Sequence, residues 1–158
     1  MSRAELTTAA MRIFVYGTLL DPDVLRAVLG RRVPAAQRSK ATLAGVRRVR
    51  AVGHRYPILV RARGQAVSGM VLDGLDAADA ARLRHYENDG YALVRRRVEL
   101  GDGSMISAHV FVPVRRLAGT NEDWNLATWQ GRGKRTALAA IRAHMRAFRL
   151  QNRSTRKS

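Results

Sequence analysis

The chain has 158 residues, 46% of them hydrophobic, which is enough for one domain with its own hydrophobic core. No apolar run approaches the roughly 20 residues that a membrane-spanning helix needs, and the first twelve residues lack the apolar core of a secretory signal. Cysteine is absent, which excludes disulfides, thiolate nucleophiles and zinc-thiolate sites and fits a reducing cytoplasm. We therefore expect a cytoplasmic protein without a membrane partner.

The charge balance is strongly basic. Lysine and arginine number 29 against 12 acidic residues, a formal net charge of +17, and only Lys40, Lys134 and Lys157 are lysines. Such a charge attracts polyanions without sequence preference and speeds the approach of small anions. The arginines are scattered along the sequence, as a GC-rich coding sequence would produce, so we interpret most of them as solvated surface residues.

The N-terminal half begins with a strand and a helix. The apolar run at 11–16 predicts a buried strand, which Gly17 ends. Asp21 is a good N-cap, Pro22 fits the first helical position and Gly30 fits the C-cap, so a helix is predicted between them.

The middle of the chain predicts more strands and a second helix. Strand-like segments lie at 41–60 and 67–75, with Gly64 as a turn residue between them. Asp76 to Asp79 resembles a capping box that opens a helix, and the Asn-Asp-Gly sequence at 88–90 ends it. Strands follow at 91–100 and 105–114 around a hairpin turn.

The C-terminal part changes character. Asn121 to Trp124 is interpreted as a polar opening to a short helix that reaches Trp129. A second helix follows, and its apolar residues recur at helical spacing and are expected in the core or at a dimer contact: Leu138, Ile141, Met145 and Phe148. We predict a flexible extension at 1–10, one domain at 11–150 and a disordered basic tail at 151–158. Strands with interspersed helices indicate an α+β sheet or barrel.

One candidate for chemistry is the sequence Tyr16-Gly17-Thr18-Leu19 at the first strand-to-helix turn. Glycine lets the backbone approach a ligand closely, and the adjacent amides offer hydrogen-bond donors to a carboxylate or an oxyanion. A strand, a glycine turn and a helix also follow one another in ordinary folds without a binding role, so on its own this pattern identifies no site.

The second candidate is Glu87, near the end of the second predicted helix. The helix dipole is unfavourable for an anion there, so a buried Glu87 should have a raised pKa suited to proton transfer. The alternative is a solvated glutamate paired with Arg82 or Arg84. The histidines, at positions 54, 85, 109 and 144, show no metal-ligand spacing, and we expect neither a metal nor a cofactor.

Five segments, taken in order, carry a family resemblance: FVYGTL at 14–19, Tyr56-Pro57, VSGMVLDGL at 67–75, LRHYENDGY at 83–91 and AHVFV at 108–112. Together they resemble the γ-glutamylcyclotransferase-like family, and its AIG2-like branch in particular. The resemblance spans most of the chain, from about Met11 to Val114.

The resemblance implies a small mixed β-barrel with flanking helices and an enzyme that releases 5-oxoproline from γ-glutamyl compounds. It implies that Glu87 is the catalytic acid/base, that Tyr16, Gly17, Thr18 and Leu19 form the substrate-binding loop, and that Tyr91 is a pocket wall. We expect a small-molecule γ-glutamyl substrate, no cofactor, a bacterial source and a monomer or homodimer.

Two alternatives to this enzymatic function stay open. One is a family member that is catalytically silent or differently specific and binds a γ-glutamyl-like ligand. The basic C-terminal segment also fits a protein associated with nucleic acid. With 6% aromatic residues and no helix-turn-helix, zinc-finger or ribonucleoprotein motif, we expect no specific nucleic-acid partner.

Overall fold

The computed structural model describes residues 11–88, 90–114 and 117–155, with side chains described as far as residue 152. This part of the chain contains six strands and four helices, along with two single 3₁₀ turns. The strands are β1 Met11–Val15, β2 Arg38–Ala51, β3 Pro57–Leu75, β4 Tyr91–Leu100, β5 Met105–Pro113 and β6 Gly119–Asp123. The helices are α1 Pro22–Leu29, α2 Ala77–Glu87, α3 Leu126–Arg132 and α4 Lys134–Thr155.

Five of the strands close into a mixed barrel. Their order is β3-β1-β5-β4-β2, and β2 also pairs with β3, which joins the two ends of the sheet. The β1–β5 pair is parallel and the other pairs are antiparallel. Strand β6 adds to β2 outside this ring. The predicted α+β fold with a small mixed barrel and flanking helices is confirmed.

Strand β3 is longer than predicted, because Gly64 does not end it. Gly64 has φ of 78° and lies inside a strand of 19 residues. The segment of β2 that faces Gly64 contains Gly45, with φ of 81°. The register of the β2–β3 pair is irregular between Ala44 and Val46. A left-handed glycine bends a strand without ending its ladder, so the predicted turn is a bend in one continuous strand.

The first two helices begin as predicted. The Asp21 side chain accepts hydrogen bonds from the first-turn amides of α1, and Gly30 closes this helix with φ of 72°. Asp76 and Asp79 form a reciprocal capping box at the start of α2. Local capping chemistry therefore fixed both helix starts correctly.

The C-terminal part differs in two places. Residues 119–123 form strand β6, and the helix that reaches Trp129 begins only after Asn125, whose side chain caps it. The polar residues of β6 look unlike a strand in sequence because β6 lies at the sheet edge and stays exposed. Helix α4 continues to Thr155, so residues 151–155 are helical, while 156–158 and the predicted extension at 1–10 lie outside the described residues.

The core has two main parts. Inside the barrel, Phe14, Val71 and Val110 pack with other strand residues. Outside it, the four helices cover a second cluster that includes Met145 of α4, with Leu138, Ile141 and Phe148 packed against its edge, so the predicted apolar stripe belongs to the core. A side chain at Gly69 would meet the Val15 carbonyl oxygen and the Phe14 ring, and this close contact between β3 and β1 requires glycine.

A buried carboxylate joins the helical layer together. Asp21 is fully buried, and its Oδ1 accepts the amides of Asp23 and Val24 while its Oδ2 accepts Gln130 of α3 at 2.8 Å and Lys134 of α4 at 2.9 Å. One side chain therefore holds α1, α3 and α4 together.

No helix in the described ranges is long and apolar enough to cross a membrane.

Candidate active site

A cavity of about 770 Å³ opens beside the loop that follows β1. The end of α2 and one side of α4 complete its wall. All four tyrosines of the chain line it: Tyr16, Tyr56, Tyr86 and Tyr91. A cavity of this size, apolar with a few convergent polar groups, is typical of a small-molecule site.

The loop at Gly17 exposes backbone donors to this cavity. Thr18 to Leu20 form a single 3₁₀ turn, closed by hydrogen bonds to the carbonyls of Gly17 and Thr18. In the described ranges, no backbone hydrogen bond uses the N–H groups of Gly17, Thr18 or Leu19. These amides begin a helical turn, where donors lack partners, and they are therefore available to an anionic ligand atom.

Side chains from three other elements hold the loop in place. The half-buried Arg48 of β2 donates from Nη1 to the Tyr16 carbonyl at 2.7 Å. The Tyr86 hydroxyl of α2 hydrogen-bonds the Thr18 hydroxyl at 2.6 Å. A Cβ on Gly17 would lie 3.0 Å from the Pro57 ring, so the absence of a side chain lets the loop pack tightly against β3.

Glu87 lines the same cavity from the last position of α2. It is partly buried, and it makes no hydrogen bond or ion pair with any residue that the structure describes. Burial raises its pKa from the ordinary value of 4.5 to about 7. The alternative pairing is not observed, since Arg82 donates instead to the Leu29 carbonyl and Arg84 has no carboxylate partner in this part of the chain.

The surrounding phenols are neutral. Burial first, and then the Glu87 carboxylate, raise the pKa of Tyr16, Tyr86 and Tyr91 above the ordinary range. Tyr16 donates its hydroxyl to the Phe111 carbonyl at 2.7 Å. These tyrosines therefore act as walls and hydrogen-bonding groups around Glu87, and none of them is suited to be a base at neutral pH.

The residue after Glu87 has an uncommon backbone conformation. Asn88 has φ of 56° and ψ of −167°, a region that residues other than glycine rarely adopt. Its amide closes α2 on the Arg84 carbonyl, and its side chain accepts the Gly90 amide at 2.9 Å. The sharp turn ends the helix at Glu87 and starts β4 at Tyr91, so both residues face one cavity.

The six residues predicted for the site come together. The structure places them all at the cavity: Tyr16, Gly17, Thr18, Leu19, Glu87 and Tyr91. Leu19 is different in one respect, because its side chain is buried in the core cluster under the helices and leaves only its backbone for a ligand.

Several residues of the site were missed from sequence. Tyr86 and Arg48 position the loop, and Trp129 with Ile141 covers the cavity from the two C-terminal helices. Tyr86 could have been predicted from sequence, because it precedes Glu87 at the end of the same helix and so lies close to the same cavity. Arg48 could not, because it is one arginine among many in a basic strand.

No metal arrangement is found among the described histidines and acids. His85 and His144 stack on each other with ring centroids 4.0 Å apart, and the Nε2 of each ring lies within hydrogen-bond distance of the other residue's carbonyl. This pair joins α2 to α4.

The raised pKa of Glu87 gives a stability prediction. The native carboxyl keeps its proton between pH 4.5 and 7, where the unfolded chain has lost it, so stability falls as pH rises through this window. We expect Glu87→Gln to raise the free energy of unfolding at pH 8 by about 2 kcal/mol and to change this free energy little at pH 4. Urea denaturation at both pH values measures this, and an equal effect at both pH values would contradict the assignment.

The comparisons with known proteins agree with this architecture. The family model described as "Gamma-glutamyl cyclotransferase, AIG2-like" matches residues 13–130. AIG2-like protein D of Arabidopsis thaliana is 35% identical over 98 residues, 62% of each chain, and AIG2-like protein C of the same plant is 28% identical over 94% of this chain and 86% of its own. The chain thus spans less than two thirds of the first of these relatives. Both are plant proteins, so they do not support the expected bacterial source.

Solved structures show the same fold. A solution structure of an Arabidopsis thaliana protein has a TM-score of 0.62 with 27% identity, covering 87% of this chain and 92% of its own. An AIG2-like protein from Mus musculus has a TM-score of 0.54 with 21% identity, covering 74% and 89%. A structure named γ-glutamyl cyclotransferase has a TM-score of 0.53 with 14% identity, covering 67% and 68%. With most of its barrel and its cavity inside the matched range, this chain belongs to the AIG2-like γ-glutamyl cyclotransferase family.

Proposed function

We propose that the protein is a γ-glutamyl cyclotransferase that converts a γ-glutamyl amide into 5-oxoproline and a free amine. The observation that carries this proposal is the Glu87 carboxylate in the cavity, which has no cationic partner among the residues that the structure describes. In a chain with 29 lysines and arginines, such a carboxylate is available for a cation of the substrate. The substrate's α-ammonium group has the charge and the donors to fill that place.

Glu87 has the acidity that the reaction needs. With a pKa of about 7 it is close to half ionised at neutral pH, so it accepts a proton from the α-ammonium group and later returns one. The freed amine attacks the γ-carbonyl carbon, which forms the new ring C–N bond. Collapse of the tetrahedral intermediate breaks the amide C–N bond, and Glu87 protonates the departing amine. The ring nitrogen gives up its second proton as well, so the amine leaves as an ammonium ion and 5-oxoproline has a neutral ring nitrogen.

The loop amides supply the second element of the mechanism. In this proposal the N–H groups of Gly17, Thr18 and Leu19 hold either the α-carboxylate or the developing oxyanion. Preorganised donors of this kind stabilise charge that develops in the transition state. Because amine and carbonyl belong to one molecule, holding the near-attack geometry supplies much of the remaining rate acceleration.

The outer wall of the cavity indicates the nature of the leaving amine. It is mostly apolar, with Leu117, Trp129 and Ile141 among its residues, and Arg55 is the one arginine that lines it within the described ranges. An amine with an aliphatic portion fits the apolar wall, and a terminal carboxylate would meet Arg55. The side chain of Arg55 already donates to the Arg132 carbonyl at 3.0 Å, which holds it in place.

The proposal is tested by assaying 5-oxoproline release from γ-glutamyl alkylamines, γ-glutamyl amino acids and glutathione. We expect release from at least one compound, with no requirement for added metal or cofactor, and the preferred compound identifies the amine portion. Binding of these compounds without any release would instead support a catalytically silent family member and contradict the enzymatic proposal.

A further inference from the structure

A basic groove lies between α1 and α4, away from the cavity described above. It has a volume of about 590 Å³ and is lined by Asp23, Arg26, Ala27, Gly30, Arg142, Arg146 and Arg149. Asp23 is the only acidic lining residue described, and Lys134 pairs with it at 2.7 Å. The sequence scatters these arginines, and folding brings Arg26 beside those of α4.

Four arginines of α4 lie in a row on one helix face, and three of them, Arg142, Arg146 and Arg149, line the groove. At 100° per residue, positions 135, 142, 146 and 149 fall within a sector of about 60° on one helix face. At a rise of about 1.5 Å per residue, the row is about 21 Å long. The four residues are exposed, so the row presents an extended line of positive charge to solvent.

This positive charge lacks internal neutralisation. Across the described ranges, none of Arg26, Arg142, Arg146 and Arg149 forms an ion pair. The sequence contains no acidic residue after Asp123. Burial, and then the charge of Arg149, lower the pKa of Arg82, whose guanidinium lies beside Gly30 of the groove lining.

The number and spacing of the guanidinium groups indicate which class of anionic ligand fits the groove. The three arginines that α4 contributes to the groove span about 10 Å along the helix, and together with Arg26 of α1 they exceed what a single phosphate contacts. They match a polymer with closely spaced charges. The apolar face of α4 is packed against the core through residues such as Met145, so it is not available to enter a lipid surface. An acidic peptide rarely reaches the charge density of nucleic acid, which has one charge per roughly 1.7 Å of duplex axis.

We propose that this groove binds the phosphodiester backbone of nucleic acid without sequence preference. Guanidinium groups hold phosphates through paired hydrogen bonds, and the release of counterions drives the association. No aromatic residue is among the described residues that line the groove, and Phe148, next to Arg149 in sequence, is partly buried and covered by Arg82, whose Cζ lies 5.8 Å from the ring centroid. Base stacking therefore adds nothing. The absence of base contacts is why no sequence specificity is expected.

The groove and the active-site cavity use different faces of α4. Ala137, Ala140 and Ile141 line the cavity, whereas Arg142, Arg146 and Arg149 line the groove. Nucleic-acid binding is therefore separable from 5-oxoproline release, and a groove variant leaves turnover unchanged.

The test compares two triple variants with the same loss of charge. R142Q/R146Q/R149Q removes three cations from the groove, and R95Q/R96Q/R97Q removes three exposed cations from β4. Fluorescence anisotropy with a labelled 20-nucleotide RNA of mixed sequence measures affinity from 50 to 300 mM salt. Circular dichroism confirms that both variants are folded.

We expect the groove variant to bind the RNA at least about tenfold more weakly at 100 mM salt, and to lower the slope of log K against log salt by about 2. The β4 variant should change affinity by less than about threefold. Equal losses in the two variants would show that net charge alone is responsible and would overturn the proposal. Strong preference for one RNA sequence, or a groove variant that loses only binding to anionic phosphatidylserine vesicles, would overturn it as well.

Discussion

Glu87→Gln is expected to lower the rate of 5-oxoproline release by about a thousandfold, within the usual range for the loss of a general acid/base. Glutamine keeps the size of the side chain but exchanges no proton at neutral pH. Because Glu87 has no protein partner in the described ranges, the substitution breaks no internal contact and the fold should remain intact. The measurement is single-turnover and steady-state release from the preferred compound of the γ-glutamyl panel.

The matched control is Glu99→Gln, the same chemical change at an exposed position of β4. It should leave the rate within about twofold of wild type. The pH profile gives an independent readout, because wild-type kcat/KM should fall as pH decreases through about 7 and Glu87 takes up its proton. A Gln variant that retains both the rate and this pH dependence would exclude Glu87 as the acid/base.

Asp21→Ala should have the largest effect on stability, a loss of about 3–5 kcal/mol in the free energy of unfolding. The substitution removes the N-cap of α1 and leaves Gln130 and the Lys134 ammonium without their buried partner. Although burial opposes it, hydrogen bonds from Gln130 and Lys134 lower the pKa of Asp21. Its contribution is therefore present above the ordinary pKa of 3.8 and is lost as pH falls through the lower native value.

Urea denaturation at pH 7 measures this loss, and Asp23→Ala is the control. Asp23 pairs with the same lysine, yet 59% of its side chain is exposed, so its removal should cost less than about 1 kcal/mol. Repeating the measurement near pH 3 should reduce the difference between wild type and Asp21→Ala. Similar effects of the two alanine variants would show that Asp21 does not join the helices energetically.

Much of the local structure was predictable because it depends on neighbouring residues. The Asp21 cap, the Gly30 end and the Asp76–Asp79 capping box all follow from side chains within one turn of the backbone that they satisfy. The apolar stripe of α4 was also predictable, because a helix must bury the face on which its apolar residues recur.

The errors lie where context outweighs local preference. Gly64 looked like a turn, but pairing with β2 on both sides keeps β3 continuous. Residues 121–124 looked like the polar start of a helix, but residues 119–123 pair with the free edge of β2 instead. In each case hydrogen bonds to a distant segment decided the outcome, and a local pattern does not contain them.

The candidate site divides in the same way. The residues with suitable chemistry, a glycine loop with adjacent amides and a glutamate at a helix end, were predictable because these properties belong to the residues and their immediate neighbours. The packing of distant segments leaves Glu87 partly buried beside that loop, without an ion-pair partner among the described residues, and brings Arg26 of α1 into one groove with the arginines of α4. Burial and charge proximity depend on segments far apart in sequence, so they arise only when the barrel closes and the helices pack against it.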